Sequence, residues 1–469
     1  MSYKLPFIML TVISVVSAAQ SERPNVLLIL TDDLGYQDLS CQGATDIETP
    51  HIDRLAESGV RFTDGYVTAP QCGPSRAGLL TGMSQSRFGC MDNSNDEGLP
   101  SSDVVQILPE QLKAQGYTTG LIGKWHVGFI ENEKGGHATR PGHHPWERGF
   151  DYTLKHHGGM SHLFPYRPDG WKWMTSRKRE PRLQQKLASE EAPRYLEGLP
   201  EDSYLTDIFS EKAVEFIETN QEEPWFLYLS YNAPHTPCSA PKDKLQQFAG
   251  VEDPKRRMMA AMMSSLDDGV GQIVAALKAS GQLENTLVWF LSDNGGPTVK
   301  NGSRNDPFSG LKGDVFEGGI RVPFILSWRG TLPAGKVISD PVISLDILPT
   351  SLAAAGVAQV PEIHEGNNLL PWLRGQGDFP NEVLYWSWRS TNQAIRIGSL
   401  KEIRNARSIQ ALDGTQIPKH NFVDLATNPT ELAGEHSLKS PEKQQLLASR
   451  LDAWLEQLET DAQVLTPKE

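Results

Sequence analysis

The chain has 469 residues, of which 38% are hydrophobic and 22% are charged, so it is long enough for about two domains and apolar enough to fold. With 44 Lys and Arg against 58 Asp and Glu, its net charge of −14 argues against general binding to nucleic acid, which requires basic surface. The cysteines at positions 41, 72, 90 and 238 are too few and too scattered for a disulfide scaffold, and their spacing does not indicate a zinc site. Whether Cys41, Cys90 and Cys238 pair stays open.

The N-terminus is typical of a secretory signal peptide. Lys4 precedes a mostly apolar run over residues 5–16, and the small residues Ser17, Ala18 and Ala19 follow it. This run is shorter than the roughly 20 residues that a membrane span needs. We therefore predict a cleaved signal at 1–19 and a secreted or periplasmic protein without a stable membrane anchor.

Buried strands and helices alternate from residue 25 onward. Apolar runs predict strands at 25–30, 225–229, 286–291 and 322–328, and helix signals or helical periodicity predict helices at 49–59 and 254–280. We expect the methionines of the second helix to pack in the core. Continuous apolar strands between helices predict an α/β fold with a large, mostly parallel sheet between two helical layers.

The pattern changes after residue 379. Short alternating strands are predicted near 383–388 and 394–397, and a helix is predicted at about 441–459. We therefore predict a main α/β domain over 20–379 and a smaller C-terminal α+β subdomain, with a short antiparallel sheet, over 380–469.

Polar side chains follow three of the predicted strands. Asp32 and Asp33 follow the first, His235 follows the second, and Asp293 and Asn294 follow the third. Ligands of open α/β sheets bind at the carboxyl ends of strands. One aspartate pair alone is more often a turn or a cap. Two acidic sites at one edge of the sheet would repel each other. Binding of a hard divalent cation with oxygen ligands would relieve this repulsion, so the pattern favours such a metal site.

The segment Cys-Gly-Pro-Ser-Arg at 72–76 predicts a helix that begins at or just after Cys72. Backbone N–H groups and the positive end of the dipole favour an anion at such a position. Arg76, one turn further on, adds a positive charge. A lone cysteine is more often a small buried residue, but this setting favours a nucleophile beside an anion site.

Two lysines flanked by glycine complete the candidates. Lys124 and His126 are two residues apart, so in an extended segment their side chains point to the same side. Lys312 lies in a Gly-Leu-Lys-Gly run, which suggests a backbone that passes close to a ligand. Taken alone, each lysine is more simply explained as a solvated surface residue.

Together, these motifs resemble those of the formylglycine-dependent (type I) sulfatases of the alkaline-phosphatase superfamily. Cys-x-Pro-Ser-Arg followed by Leu-Thr-Gly, and Gly-Tyr-x-Thr-x-x-x-Gly-Lys-Trp-His-x-Gly at 116–128, are specific signatures of that family. The segments at 32–36, 233–237, 292–296 and 317–323 follow in the family's order. The resemblance extends over about residues 24–435, and its closing segment at 421–431 matches more loosely.

The resemblance implies an alkaline-phosphatase-like catalytic domain and a modified residue 72. Cys72 is expected to be oxidised to formylglycine by a maturation enzyme, and the aldehyde hydrate carries two hydroxyl groups. The implied ligands of one calcium ion are Asp32, Asp33, modified Cys72, Asp293 and Asn294. Arg76 and Lys124 are expected to hold the hydrate and the sulfate oxygens, His126 to take the proton that restores the aldehyde, and His235 and Lys312 to face the leaving group, with His235 as its proton donor.

A sulfated carbohydrate is the expected substrate. Residues 134–182 contain ten Lys or Arg against four acidic residues, with six histidines and aromatic residues such as Trp146 and Trp171. Aromatic faces stack on sugars and cations pair with sulfate, so this segment is interpreted as a substrate-binding wall that includes Arg177, Lys178 and Arg179. The alternative for this segment is a solvated loop.

Three other functions stay open at this stage. They are an arylsulfatase of broad specificity, a phosphonate or phosphate monoester hydrolase with the same cysteine motif, and a sulfated-glycan binding protein without turnover. Because every expected catalytic position is occupied, the sequence favours an enzyme over a binding protein.

Overall fold

The computed structural model of the protein describes residues 23–93, 98–131, 137–156, 203–405, 409–410 and 414–465. The predicted signal at 1–19 and most of the basic segment at 134–182, including Arg177, Lys178 and Arg179, lie outside the described residues. None of the helices in these ranges has the length and apolar character needed to cross a bilayer.

Eighteen strands and ten α-helices are described. The strands are β1 (Asn25–Thr31), β2 (Val60–Phe62), β3 (Gly65–Tyr66), β4 (Thr118–Lys124), β5 (Phe129–Glu131), β6 (His137–Thr139), β7 (Tyr152–His156), β8 (Trp225–Ser230), β9 (Thr286–Ser292), β10 (Phe324–Ser327), β11 (Lys336–Ile338), β12 (Val342–Ile343), β13 (Val383–Trp388), β14 (Asn392–Ile397), β15 (Leu400–Arg404), β16 (Ile409–Gln410), β17 (Gln416–Ile417) and β18 (His420–Asp424). The helices are α1 (Pro50–Glu57), α2 (Cys72–Thr81), α3 (Leu108–Ala114), α4 (Leu205–Thr219), α5 (Lys242–Gln247), α6 (Pro254–Ala279), α7 (Glu317–Ile320), α8 (Ile347–Ala354), α9 (Leu370–Leu373) and α10 (Pro441–Leu465).

The predicted mostly parallel sheet is confirmed. It has eight strands in the order β11-β2-β10-β9-β1-β8-β4-β7, and within it only β10 runs antiparallel to its neighbours. The central strands β1, β8 and β9 are buried along their whole length. Leu28 faces one apolar core and Leu27 faces the other, which explains why these strands are continuously apolar rather than alternating.

The predicted long helix at 254–280 is confirmed as α6. It begins after Asp253, whose carboxylate accepts a hydrogen bond of 2.9 Å from the N–H of Lys255. Met259, Met262 and Met263 are fully buried in the core against the sheet. The methionine row therefore packs in the core, as the sequence predicts.

The C-terminal part of the chain forms the predicted antiparallel sheet. Its order is β13-β14-β15-β18, and α10, predicted near 441–459, extends to Leu465. The ring of Tyr385 stacks on Trp454 of this helix at 4.9 Å. On the other face of the sheet, Trp386 packs against Tyr66 of the main domain. The position of the domain boundary at 379/380 stays a prediction.

A buried ionic cluster joins the two sheets. The Lys401 ammonium donates to carboxylate oxygens of Glu317 and Glu431, each at 2.7 Å, and all three side chains are inaccessible to solvent. Glu317 also accepts from Arg321 at 3.0 Å. Burial raises the pKa of Glu431 to about 7, because Lys401 offsets only part of the desolvation and Glu317 adds to the increase.

We expect this cluster to make stability depend on pH. Glu431 has a raised pKa in the folded chain, so its stabilising contribution is complete below its ordinary pKa of 4.5 and is lost as the pH rises through about 7. Between pH 5 and pH 8 the free energy of unfolding of the wild type should fall on the order of 2 kcal/mol more than that of Glu431→Gln. Urea unfolding of both proteins at the two pH values measures this difference, and equal losses would contradict it.

Candidate active site

The predicted convergence of strand ends is present. Thr31 of β1 pairs with Ser292 of β9, so Asp32 and Asp293 leave adjacent parallel strands at the same edge of the sheet. The N–H of Asp33 donates to Asp293 Oδ1 at 3.3 Å, and Asn294 Nδ2 donates to Asp33 Oδ1 at 2.7 Å. Asp33 has a φ of 70°, which turns its carboxylate away from the strand direction. The four residues therefore form one connected group.

Cys72 begins α2, as the sequence predicts, and lies among these carboxylates. Its Sγ is 3.4 Å from Asp32 Oδ1 and 3.0 Å from Lys312 Nζ. Burial and Asp293 oppose ionisation of the thiol, but Lys124 and Lys312 prevail and lower its pKa to about 6. The residue is therefore a buried thiol in a strongly positive setting at a helix N-terminus.

Each aspartate is paired with one cationic side chain. Asp32 pairs with Lys124 at 2.5 Å, Asp33 with Lys312 at 2.5 Å, and Asp293 with Arg76 at 2.7 Å. Burial raises the pKa of Asp32 and of Asp293, and repulsion from a neighbouring aspartate adds to it in each case. Although burial also favours neutral Asp33, Lys312 and His235 hold its pKa far below the usual value. The protein itself therefore neutralises the acidic group.

Arg76 is held rigidly by groups that the sequence reasoning missed. Its Nη1 donates to Ser230 Oγ at 2.5 Å and to the Lys124 carbonyl at 3.1 Å, while its Nε and Nη2 donate to Asp293 Oδ2. Tyr228 Oη also lies 3.4 Å from Nη1. Tyr228 and Ser230 are two residues apart in β8 and so lie on one face of that strand. This period of two is the sequence pattern from which their shared position beside Arg76 could have been predicted.

The expectation that Lys124 and His126 share an extended segment is wrong. Strand β4 ends at Lys124, and His126 has a φ of 54°, in the left-handed region. Gly123 before them also has a positive φ, and a Cβ there would lie 1.9 Å from the Ser230 carbonyl oxygen. Burial lowers the pKa of His126 well below its usual value, and the positive charges of Lys124 and Arg76 lower it further. His126 is therefore in its neutral form, able to accept a proton.

His235 follows β8, the strand between β1 and β4, and lies beside Asp33. Its Nε2 is 3.5 Å from Asp33 Oδ2, and its Nδ1 contacts the carbonyl of Thr236. Burial lowers its pKa, but the charges of Asp32 and Asp33 prevail and raise it overall. A cation bound to the same carboxylates would offset that increase.

The residues present fit an oxygen-binding divalent ion. One possible ligand atom from each of four residues lies within 4.8 Å of the others, and the residues are Asp32, Asp33, Cys72 and His235. Asp293 is not in this group but contacts it, because its Oδ1 accepts a hydrogen bond from the N–H of Asp33. Asn294 Oδ1 is buried and has no hydrogen-bond partner among the described residues, as expected of an atom reserved for a metal. Sulfur is a poor ligand for a hard cation, whereas an oxygen at position 72 would extend an oxygen set.

Comparison with known proteins decides the family. A family model described as sulfatase matches residues 24–357, and a second, described as N-sulphoglucosamine sulphohydrolase, C-terminal, matches residues 312–461. The chain belongs to the sulfatase family. As a sulfatase it is a sulfuric ester hydrolase, and both the predicted family and the alkaline-phosphatase-like fold are confirmed.

The names of the relatives of this sulfatase include both a sugar sulfatase and an arylsulfatase. N-acetylgalactosamine-6-sulfatase of Rattus norvegicus is 32% identical over 414 residues, covering 84% of this chain and 73% of that protein. Arylsulfatase A of Bos taurus is 35% identical over 394 residues, covering 80% and 73%. The crystal structure of Ps i-CgsB matches with a TM-score of 0.77 and 33% identity over 94% of both chains, and a second structure of that protein contains k-i-k-neocarrahexaose.

The described part of the basic segment at 134–182 is partly structural in this sulfatase. Arg148 is buried and its Nε donates to Glu110 at 2.8 Å, so it cannot contact a substrate. His143 Nε2 lies 3.0 Å from the carbonyl of Leu99. Trp146, by contrast, remains 54% exposed. The interpretation of this segment as a substrate wall is therefore wrong for Arg148 and stays a prediction for the rest.

Proposed function

We propose that this sulfatase removes sulfate from a sulfated carbohydrate, with formylglycine at position 72 and a calcium ion held by Asp32, Asp33, Asp293, Asn294 and residue 72. The observation that carries the proposal is the setting of Cys72. It begins a helix, lies 3.0 Å from Lys312 Nζ, and is surrounded by three buried or nearly buried ion pairs. This arrangement suits the binding of an anionic SO3 group beside residue 72.

Conversion of Cys72 to formylglycine needs a separate maturation enzyme. The change breaks the C–S bond and one C–H bond of the side chain, takes an oxygen atom at the level of water, and releases sulfide with two protons and two electrons. Dioxygen bound by the maturation enzyme is a suitable acceptor of the two electrons. Cys72 is 1% exposed in the folded chain, which favours modification before folding is complete. This order is compatible with export through the proposed signal at 1–19 to the periplasm or outside the cell.

The modified residue supplies one hydroxyl to attack sulfur and a second whose proton loss expels the sulfate. The chain's own residues orient these events. Arg76 fixes Asp293, and Lys124 and Lys312 place ammonium groups beside Asp32 and residue 72. Neutral His126 suits the role of proton acceptor, and we assign to His235 the protonation of the leaving alcohol, which its raised pKa supports.

Calcium is proposed because each lysine or arginine at the site is already paired with an aspartate. The charges of these three pairs largely offset one another, so by themselves the pairs offer little attraction to a sulfate ester. A bound divalent ion would give the site two excess positive charges and would polarise the ester oxygens. The unpartnered Asn294 Oδ1 supports a ligand at this position.

The rim of the site supports a carbohydrate substrate. Trp388 of β13 donates from Nε1 to Gln71 Oε1 at 3.1 Å, directly before residue 72, and its ring packs against Gly313, directly after Lys312. Arg389 has a φ of 54°, is about half exposed, and stacks over the Trp388 ring at 4.7 Å. An aromatic ring with a cation at the entrance suits a sugar that carries anionic groups.

Sulfate release from a sulfated galactan oligosaccharide, a small aryl sulfate and an aryl phosphate tests the proposal. We expect the oligosaccharide to have the highest kcat/KM and the phosphate the lowest. Preference for the aryl sulfate would favour an arylsulfatase, which the bovine relative supports. Preference for the phosphate would favour a phosphomonoesterase, and retained binding without turnover would favour a binding protein.

Arg389 provides a matched test of the carbohydrate. Arg389→Gln should lower kcat/KM for the oligosaccharide about tenfold, through loss of one charged contact, and leave the aryl sulfate within about twofold. Arg374→Gln is the control, because Arg374 also lies over a tryptophan ring, that of Trp328. Trp328 directly follows β10, which runs antiparallel to β9 and therefore ends at the opposite edge of the sheet. Equal effects of Arg389→Gln on both substrates would refute a role in sugar recognition.

A further inference from the structure

Asn232 carries a buried side-chain amide that has no role in the proposed function. It is 3% exposed, and neither its Oδ1 nor its Nδ2 has a hydrogen-bond partner within the ranges that the structure describes. Buried polar groups are almost always satisfied, and an unsatisfied amide destabilises the folded chain. A side chain that is retained in this state is expected to bind something outside the chain.

The backbone determines which face of the sheet Asn232 occupies. The pairing of β8 with β1 extends one residue past Ser230, because Tyr231 N donates to the Leu30 carbonyl at 2.9 Å. The register then slips, since Asp32 N donates to the Ala233 carbonyl at 3.1 Å rather than to that of Tyr231, and this bond holds the segment of Asn232 beside Asp32. Tyr231 projects to one face, where its hydroxyl lies 2.7 Å from Ser210 Oγ. By the alternation of a strand, Asn232 projects to the other face, the face of Ser230.

That face carries α2 and the nucleophile position. Ser230 Oγ is bound by Arg76 Nη1, and Cys72 lies one turn before Arg76, about 6 Å along the helix axis towards the site. Asn232 lies two residues beyond Ser230, at most about 7 Å from it, and follows β8 at the carboxyl edge of the sheet. Cys72 lies at the same edge, where its Sγ is 3.4 Å from Asp32 Oδ1.

The neighbouring strands bracket this position. In the order β1-β8-β4, Asn232 follows β8, between Asp32 after β1 and Lys124 at the end of β4. The Asp32 and Lys124 side chains are joined by a 2.5 Å ion pair, so their charges are already balanced. A neutral amide between them adds donors without changing the charge of the site.

We propose that the Nδ2 group of Asn232 donates a hydrogen bond to an oxygen of the SO3 group beside residue 72. This inference rests on the proposed function and adds a residue that contacts the substrate. An uncharged donor fixed by the sheet stabilises charge that develops on the sulfate oxygens without any rearrangement during the reaction. It also accounts for a buried amide that has no hydrogen-bond partner in the described part of the chain.

The test compares Asn232→Leu with the wild type, because leucine keeps the branched shape and removes both polar atoms. We expect kcat/KM for a small aryl sulfate to fall roughly 100-fold. Inorganic sulfate should raise the Tm of the wild type and not that of the variant. Without sulfate, the variant's Tm should be equal to or above that of the wild type, since an unsatisfied amide has been removed.

Asn381→Leu is the matched control with the opposite signature. Asn381 is also buried, but it donates to Asp346 Oδ2 at 2.8 Å and accepts from Asn367 Nδ2 at 2.8 Å. Its replacement should lower Tm and leave kcat/KM of the folded protein unchanged. Asn232→Ala repeats the test if the leucine variant does not fold.

Two results would overturn the role of Asn232. One is wild-type kcat/KM with an unchanged sulfate-induced rise in Tm. The other is a lowered Tm that accounts for the whole loss of activity, which is the behaviour of a structural residue. If the wild type releases no sulfate from any ester, the proposed function fails, and the sulfate-induced rise in Tm alone then decides whether Asn232 binds the anion.

Discussion

Replacement of Cys72 by serine should lower turnover of every sulfate ester by about 10⁴-fold or more, with little change in the fold. Serine supplies a single hydroxyl in place of the two of the formylglycine hydrate. Its attack on sulfur would transfer the SO3 group to serine and release the substrate alcohol with a proton. No second hydroxyl is then present to expel the sulfate, so the variant should stop after one turnover.

The covalent product makes this prediction distinguishable from simple inactivation. After incubation with substrate, the tryptic peptide of residues 62–76 from Cys72→Ser should carry one additional SO3 group. Cys41→Ser is the control, because Cys41 is half-buried and packs against the apolar core on the face of the sheet that α6 covers. We expect it to retain activity and to carry no sulfate. Repeated turnover by Cys72→Ser would show that a second hydroxyl on residue 72 is unnecessary.

Removal of calcium should abolish turnover and lower stability together. The three aspartates at the site have three cationic partners, so the ion supplies the positive excess that attracts the substrate. At a free calcium concentration about 1,000 times Kd, binding stabilises the folded chain by about 4 kcal/mol. Chelation followed by urea unfolding should reveal a loss of this order, and added Ca²⁺ should restore stability and activity in parallel.

Asn294→Ala links that effect to the proposed ligands. Asn294 donates to Asp33 Oδ1 and keeps its own Oδ1 unpartnered among the described side chains, so the substitution removes one neutral ligand and no charge. The variant should need a calcium concentration at least about tenfold higher for half-maximal stabilisation. Full activity in protein that metal analysis shows to be free of divalent ions would contradict the calcium proposal.

Local patterns in the sequence predict the strands, the long helix and the polar residues at the strand ends. The apolar run before Asp32 identifies a central strand, and the spacing of Met262, Leu266 and Val270 identifies one buried face of α6. Both depend on residues close together in the chain. Local sequence patterns are therefore sufficient to predict which edge of the sheet carries the site.

Features that depend on distant residues could not be predicted in this way. The antiparallel direction of β10 depends on its pairing with β2 and β9. The pairing of each aspartate with one cation and the satisfied state of Arg148 depend on partners remote in sequence. The close approach of Gly123 to the Ser230 carbonyl, three residues before the left-handed His126, likewise depends on a strand remote in sequence.

A mass spectrum of the tryptic peptide of residues 62–76, taken from a preparation whose sulfatase activity has been measured, tests the central claim most directly. We expect an aldehyde or its hydrate at position 72, in a fraction of molecules that rises in proportion to specific activity. An intact cysteine thiol at position 72 in every molecule of fully active protein would contradict it.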